Sequence, residues 1–257
     1  MKDSTIDKYM RNSDELLAIY NKRLSAKLST LQEMQRKQLF DALKFAETNN
    51  LTTNQIKTIV AQTLADVKLQ IPLIVNSTDL AQSDIIDTIQ SYRVNKGLPL
   101  FDDNRLKNII SSNRKKSNRK LVNFLNGYND NKIVSATSLI DSAEFSGAKL
   151  SKKESLIFSK YEFNQNSLLR LSELKVDSDL VGSQNELSKT IDKEFVYYGP
   201  EDSDNRGFCE TWVGIVQTKE FWDDIGDLVW AGKIEGVGTI WIYAGGWNCR
   251  HTLIAVE

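Results

Sequence analysis

The stretch that decides the fold is Phe195-Val196-Tyr197-Tyr198-Gly199-Pro200, where the hydrophobic pattern of the chain changes. Before it, apolar residues recur at three- and four-residue steps, which is typical of amphipathic helices. The stretch itself is β-branched and aromatic, as in a strand, and the Gly-Pro pair ends it. The sequence therefore predicts an α+β protein. A long, mostly α-helical region over residues 1–194 is expected to precede a small α+β domain over residues 195–257.

The helical region begins with one long amphipathic helix. Asn12 and Glu15 have the spacing of a capping box, and the helix is expected to end near Asn49-Asn50. Its apolar stripe consists of Leu16, Tyr20, Leu24, Leu28, Leu31, Met34, Leu39, Leu43 and Phe45.

Shorter helices are predicted after this one. The first starts near Thr53, and Pro72 is expected to stop or kink it. The next runs from Thr78 to about Tyr92, and another begins at Asp102 or the residue after it. Weaker patterns predict helices around residues 135–145, 152–175 and 184–194.

The C-terminal domain differs in composition. All five tryptophans, both cysteines and the only histidine lie after residue 205. Residues 238–243 and 252–256 are expected to form strands, and residues 212–216 are β-branched and aromatic. Thr218 is expected to cap a short helix. The apolar face of that helix would consist of Phe221, Ile225, Leu228 and Val229.

Composition excludes several classes of protein. Lys and Arg number 33 against 34 Asp and Glu, so the net charge of -1 argues against a uniformly basic nucleic-acid coat. We find no run of about 18 apolar residues and therefore expect no membrane span. The charged N-terminus is unlike a secretory signal. Two cysteines in 257 residues rule out a disulfide scaffold.

One candidate site consists of Cys209, Cys249 and His251. Thiolates and imidazoles are zinc ligands, and on a strand the Cys-Arg-His spacing points two of them to the same face. A tetrahedral structural site needs a fourth ligand, for which Asp204 or a water molecule is a candidate. Alternatively, the cysteines are small buried hydrophobes and the histidine hydrogen-bonds a turn. A structural zinc ion is thus the only cofactor considered, and no catalytic residue is assigned.

A second group of residues, near Gly199-Pro200, contains charged side chains. Asp202, Asp204 and Glu210 could perform acid–base chemistry with His251. The same stretch has turn chemistry, so we prefer a structural interpretation. In it, Asp204 pairs with Arg206 or Arg250 and fixes a loop.

Residues 104–120 form a basic segment that contains no acidic residue. Such a cluster can neutralise phosphates, or it can be a solvated helix face or contact an acidic protein. The segment contains Arg105, Lys107, Arg114, Lys115, Lys116, Arg119 and Lys120.

The C-terminal motifs, taken in order, resemble a known family. They are the opening stretch 195–200, then Asp204-Asn205-Arg206-Gly207-Phe208-Cys209, residues 214–218, and finally Gly245-Gly246-Trp247-Asn248-Cys249-Arg250-His251 with the apolar residues that follow. This series resembles the C-terminal domain of phage minor head proteins of the MuF-like head morphogenesis family. It differs in two places: Arg206 and Gly207 stand where many members have a first cysteine, and His251 replaces the second cysteine of Cys-Arg-Cys.

The resemblance implies a virion protein present in few copies near the portal, in the head interior or neck, and in the host cytoplasm during assembly. It would assist head morphogenesis and DNA packaging or ejection. Its expected partners are the portal protein, the major capsid or scaffold protein, and packaged DNA, with no membrane. Two alternatives remain: a small enzyme or toxin-like domain that uses Cys209 and His251, and a DNA-binding accessory protein that uses the basic segment.

Overall fold

Helices dominate the structure, a computed structural model that describes residues 4–162, 165–202, 205–233, 240–246, 249 and 251–257. A small three-stranded sheet lies near the C-terminus. The predicted α+β class, with a long helical region followed by a small C-terminal α+β part, is therefore confirmed.

The helices of the first part are α1 (Ser4–Thr48), α2 (Thr53–Ala65), α3 (Val67–Ser77), α4 (Gln82–Lys96), α5 (Asp103–Ser138), α6 (Ala143–Ser146), α7 (Leu150–Tyr161), α8 (Gln165–Asp179) and α9 (Val181–Ile191). A 3-10 turn, Leu139–Asp141, links α5 to α6. The C-terminal part contains β1 (Glu194–Tyr198), α10 (Gly207–Trp212), β2 (Val216–Thr218), α11 (Lys219–Asp227), α12 (Ile240–Tyr243) and β3 (Thr252–Ala255).

Helix α1 is longer than predicted. It begins at Ser4, because Ile6 and Tyr9 extend the buried stripe toward the N-terminus, so no capping box operates at Asn12. Seven residues of the predicted stripe are buried: Leu16, Tyr20, Leu24, Leu28, Leu31, Leu39 and Leu43. The prediction is wrong for Met34 and Phe45, which are mostly exposed. The buried residues are instead Gln35, which follows Met34, and Ala46, which follows Phe45.

Helices α2 and α3 correct two expectations. The helix that begins at Thr53 is confirmed, and a capping box formed by Thr52 and Gln55 starts it. The break lies at Asp66, whereas Pro72 is accommodated inside α3 between the buried Ile71 and Val75. A proline removes one helical hydrogen bond, and burial of its neighbours offsets that loss.

The segment Thr53–Ser77 is long and apolar enough to cross a membrane, by length and composition alone. This test does not decide the expectation that the chain has no membrane span. The core helix of a soluble protein passes the same test. Here one face of the segment is buried in protein, and Leu69 and Leu73 are exposed. The buried face consists of Val60, Leu64, Val67, Ile71 and Val75.

The helices predicted next differ mainly in their ends. Helix α4 starts at Gln82 and not at Thr78, and it buries Ile85, Ile86 and Ile89. It is capped by Gly97, whose φ of 72° is in the left-handed region that glycine adopts freely. Helix α5 starts at Asp103 as predicted but continues to Ser138, so residues 135–145 contain the end of α5, the 3-10 turn and the start of α6 and not one separate helix. The helix expected at 152–175 is two helices, α7 and α8, and the last one, α9, starts three residues early.

The sheet has the order β2-β1-β3, and both pairs are antiparallel. Phe195 in the central strand lies opposite Gln217 on one side and Ala255 on the other. The strands predicted at 195–198 and 252–256 are confirmed. Residues 240–243 are helical instead, since a short apolar run does not distinguish a strand from a buried helix. Residues 238 and 239 lie outside the described residues.

The short elements between β1 and β3 also differ from expectation. Trp212 ends helix α10, and the strand β2 begins only at Val216. Thr218 caps α11 as predicted, with its hydroxyl accepting a hydrogen bond from the Phe221 amide. The predicted apolar face is wrong at Val229, which is 94% exposed beyond the end of the helix, and at Leu228. Trp222 is the fully buried residue of α11.

Two compact units make up the chain. Unit 1 contains Met1–Ile19, Leu80–Ser117 and Arg170–Glu257; unit 2 contains Tyr20–Asp79 and Asn118–Leu169. The sheet therefore shares unit 1 with helices from the first half of the chain, and the position between residues 194 and 195 lies inside that unit. In its core, Arg93 and Asp192 form a fully buried ion pair, and the Tyr92 hydroxyl donates a hydrogen bond to the Ala255 carbonyl in β3.

Candidate metal centre

The structure brings the two cysteines and the histidine together. Cys209 is in α10, Cys249 precedes β3 in a loop, and His251 directly precedes β3. The two sulfur atoms are 3.6 Å apart, and Cys249 Sγ is 3.7 Å from His251 Nδ1. All three ligand atoms lie within 4.8 Å of one another. Cys209 and His251 are buried, and Cys249 is partly buried.

The central strand β1 positions these residues through Tyr197. Pairing of β1 with β3 places Tyr198 opposite Thr252, so His251 comes to lie beside β1. The imidazole stacks on the Tyr197 ring at a centroid distance of 5.2 Å, and the ring of Trp222 stacks with Tyr197 at 5.8 Å. The Tyr197 hydroxyl is 3.5 Å from each sulfur atom. A single buried side chain therefore contacts all three candidate ligands.

Two glycines make this approach possible. A Cβ atom on Gly245 would lie 2.6 Å from Cys209 Sγ and 2.8 Å from Cys249 Sγ. A Cβ atom on Gly199 would lie 2.4 Å from the imidazole Cδ2 of His251. Such contacts are well inside van der Waals distance, so a side chain at either position would displace the cluster.

Backbone groups complete the hydrogen bonding of the cluster. The amides of Gly245 and His251 donate to Cys249 Sγ at 3.1 and 3.4 Å. His251 Nε2 lies 3.0 Å from the carbonyl oxygen of Pro200. A carbonyl only accepts, so Nε2 carries the proton and donates it. In the neutral imidazole the lone pair is then on Nδ1, the nitrogen next to Cys249.

The two thiols share their protons. A hydrogen bond from Cys249 holds the pKa of Cys209 well below its usual range, and the same hydrogen bond raises the pKa of Cys249. The hydrogen bonds from Cys249 and from the Tyr197 hydroxyl thus favour a thiolate at Cys209. Thiolate is the form of cysteine that binds metals.

Of the charged residues that were predicted near the cluster, Arg206 has a clear structural contact there. Arg206 Nη1 donates to the Gly245 carbonyl at 3.1 Å, and the Trp230 indole donates to the same oxygen at 2.9 Å. Arg206 thus fixes the loop that carries Gly245. Its predicted partner Asp204, together with Arg250, lies outside the described residues. Asp202 and Glu210 are exposed.

A cavity of about 410 Å³ adjoins the cluster, with Cys249 and His251 in its wall. Its other polar residues are mainly carboxylates, which sequence reasoning missed because they come from α1 and α8. They are Asp7, Asp14, Glu173 and Asp177. Burial raises the pKa of Asp177 to about 7, and the charges of Glu173 and Asp14 act in the same direction. The Asp177 carboxyl group is therefore partly protonated at neutral pH.

The basic segment lies on α5, and one of its seven cationic side chains, Arg114, forms contacts within the protein. Arg114 donates to the Leu80 carbonyl at 2.9 Å and pairs with the buried Asp179 at 3.3 Å. The other six side chains are exposed: Arg105, Lys107, Lys115, Lys116, Arg119 and Lys120. Arg114 therefore has a structural role, and the exposed cations remain candidates for phosphate contacts.

No protein-family model, curated protein sequence or solved structure matches this chain. The resemblance to the MuF-like family therefore depends on the residues quoted from the sequence.

Proposed function

We propose that this chain is a minor head protein of a phage, present in few copies near the portal, that assists head morphogenesis and the packaging or ejection of DNA. In this proposal the C-terminal part is architectural. The portal protein and the major capsid or scaffold protein are its partners, and packaged DNA lies beside it.

The observation that supports the proposal is the convergence of the motif residues. The motifs that carry the family resemblance are spread over residues 195–256, and four residues from three of these motifs meet at one cluster. Tyr197 comes from the first motif, Cys209 from the second, and Cys249 and His251 from the last. Because these residues pack in one site, the motifs that contain them would be expected to occur together and in a fixed order.

The packing around the cluster supports an architectural role. Cys209 is 3% exposed, and the Tyr197 and Phe208 rings lie 6.0 Å apart next to it. Phe208 in turn stacks on Trp230 at 4.1 Å. Aromatic packing of this kind adds stability beyond burial alone.

Mass spectrometry of purified virions and procapsids tests the proposal. We expect peptides from both units of this chain, at a small fraction of the molar amount of the major capsid protein. Host proteins that co-purify are removed with a density gradient, and their abundance in the same fractions is the control. Absence of the chain from both kinds of particle would overturn the proposal.

An enzyme is the second candidate, because Cys249 and His251 line the cavity. A catalytic cysteine reacts as an accessible, activated thiolate. In an enzyme of this kind, iodoacetamide would alkylate Cys249 faster in the folded chain than in the urea-unfolded chain. Slower alkylation in the folded chain would rule out this role for Cys249.

A further inference from the structure

We propose that Cys209, Cys249 and His251 bind one zinc ion, with a water molecule in the fourth position, and that this ion stabilises unit 1. The inference does not depend on a role in phage heads. It rests on the distances, the hydrogen bonds and the position of the cluster between three chain segments.

The distances fit a tetrahedral zinc site. With Zn–S bonds of about 2.3 Å, tetrahedral angles place two sulfur ligands about 3.8 Å apart and a sulfur and a nitrogen about 3.6 Å apart. The observed separations are 3.6 Å between the sulfur atoms and 3.7 Å between Cys249 Sγ and His251 Nδ1. A disulfide requires a separation of about 2.05 Å, so the cysteines are present as a pair of ligands without a covalent bond.

The hydrogen bonds orient the ligands as metal sites require. A metal-binding histidine usually donates its other ring N–H to a carbonyl or carboxylate, which fixes the tautomer. Here His251 Nε2 donates to Pro200, and Nδ1 is directed to the sulfur. The amide donors of Gly245 and His251 aim at Cys249 Sγ, and the Tyr197 hydroxyl is within reach of both sulfur atoms. These donors would stabilise the negative charge of two thiolates. Two uncharged thiols that served only as small hydrophobes would not need them.

The cavity supplies the fourth ligand. Cys249 and His251 lie in its wall, so solvent reaches these two ligands. Tyr197 is fully buried and contacts both sulfur atoms, so we assign it the role of a hydrogen-bond donor that positions the thiolates.

The ion would link three short and separate parts of the fold. Cys209 comes from a helix of six residues, Cys249 from a loop, and His251 from the position just before a strand of four residues. An ion that binds only the folded state stabilises it in proportion to the logarithm of its free concentration over its dissociation constant. Zinc binding should therefore raise the melting temperature.

The first measurement uses the full chain, purified under reducing conditions. We expect about one zinc ion per chain by elemental analysis, in keeping with a single mononuclear site. A strong chelator should lower the melting temperature, and added Zn²⁺ should restore it. Cobalt substitution should give the visible absorption bands of a tetrahedral site and a thiolate-to-cobalt charge-transfer band in the near ultraviolet. The cobalt spectrum requires no variant, so the proposal stays testable even where ligand substitutions fail to fold.

Three substitutions then separate ligands from neighbours. Cys249→Ser should abolish stoichiometric zinc binding. Tyr197→Phe should retain one zinc ion and bind it about 10-fold more weakly, as for other donors to metal ligands. Glu210→Gln, which changes an exposed carboxylate next to Cys209 in α10, is the matched control and should bind zinc as the natural chain does.

Two results would overturn the proposal. One is a natural chain that contains no zinc, takes up no cobalt and melts at the same temperature with or without Zn²⁺. The other is a zinc content that Cys249→Ser leaves unchanged. Neither result depends on whether the chain is found in virions, so the zinc site and the proposed function can fail separately.

Discussion

Replacement of Asp192 by asparagine should destabilise unit 1 severely. The Arg93 guanidinium is fully buried, and two of its nitrogens each lie 2.8 Å from an oxygen of Asp192. It also donates to the Pro99 carbonyl and lies 3.9 Å over the ring of Phe101. The asparagine keeps the shape of the side chain but removes its charge. The guanidinium would then remain in a place that water does not reach, without a counter-ion.

The expected magnitude follows from the burial of both partners. Removing one partner of a buried ion pair costs about 3–5 kcal/mol, because the remaining charge is uncompensated. The exposed pair of Lys219 and Asp223 provides the control, since its side chains are 36% and 42% exposed. Solvent screens an exposed pair, so Lys219→Gln should lower the free energy of unfolding far less than Asp192→Asn does. The double variant Arg93→Met, Asp192→Leu should recover most of the loss, because it leaves no buried charge.

Urea denaturation followed by tryptophan fluorescence measures these changes. All five tryptophans lie after residue 205 and therefore in unit 1, so the signal reports on the unit that contains the ion pair. A loss below about 1 kcal/mol for Asp192→Asn would refute the reasoning, since that is the range of an exposed pair.

Three further predictions concern the cavity, the metal centre and α5. The pKa of Asp177 is raised from 3.8 to about 7, so the folded state holds a proton that the unfolded state releases, and stability should fall as the pH rises from about 4 to 7. Asp177→Asn should flatten this dependence, by on the order of 2–4 kcal/mol over the window, in urea melts at several pH values. The exposed Asp224→Asn should leave the slope intact, and an unchanged slope in Asp177→Asn would contradict the assignment. Gly245→Ala should cost about 1–3 kcal/mol through overpacking against the two sulfur atoms, whereas Gly207→Ala, with open space around its Cβ, should be nearly neutral in the same melts. For α5, the DNA-binding hypothesis predicts that serine at Lys115 and Lys116 lowers the slope of log K against log salt concentration by about 1.8, and an identical slope in filter-binding titrations would end that hypothesis.

Elements whose sequence pattern is compatible with only one local structure were predicted well. The strand Phe195–Tyr198, the cap at Thr218 and the start of α5 each follow from local chemistry that the neighbouring residues reinforce. The fold class follows from these elements. A sequence with helical periodicity followed by strands and glycine-rich turns is compatible with few architectures.

Features that depend on packing could not be predicted. Residues 240–243 form a helix whose Trp241 carbonyl accepts a hydrogen bond from the Asn185 amide of α9, and the local sequence does not reveal this contact. The same applies to the cavity carboxylates, which are far apart in the sequence and meet only when α1 and α8 pack within unit 1. The three metal-ligand candidates were found because cysteine and histidine are scarce in this chain, whereas Tyr197 was missed because it resembles an ordinary core residue.

The stacking of Trp222 on Tyr197 gives the chain an optical probe of its own. The indole lies one ring away from the hydroxyl that contacts both sulfur atoms. A change in charge at the sulfur atoms should therefore alter the emission of Trp222 without any dye or label. Occupancy of the cluster could then be followed in real time in dilute protein.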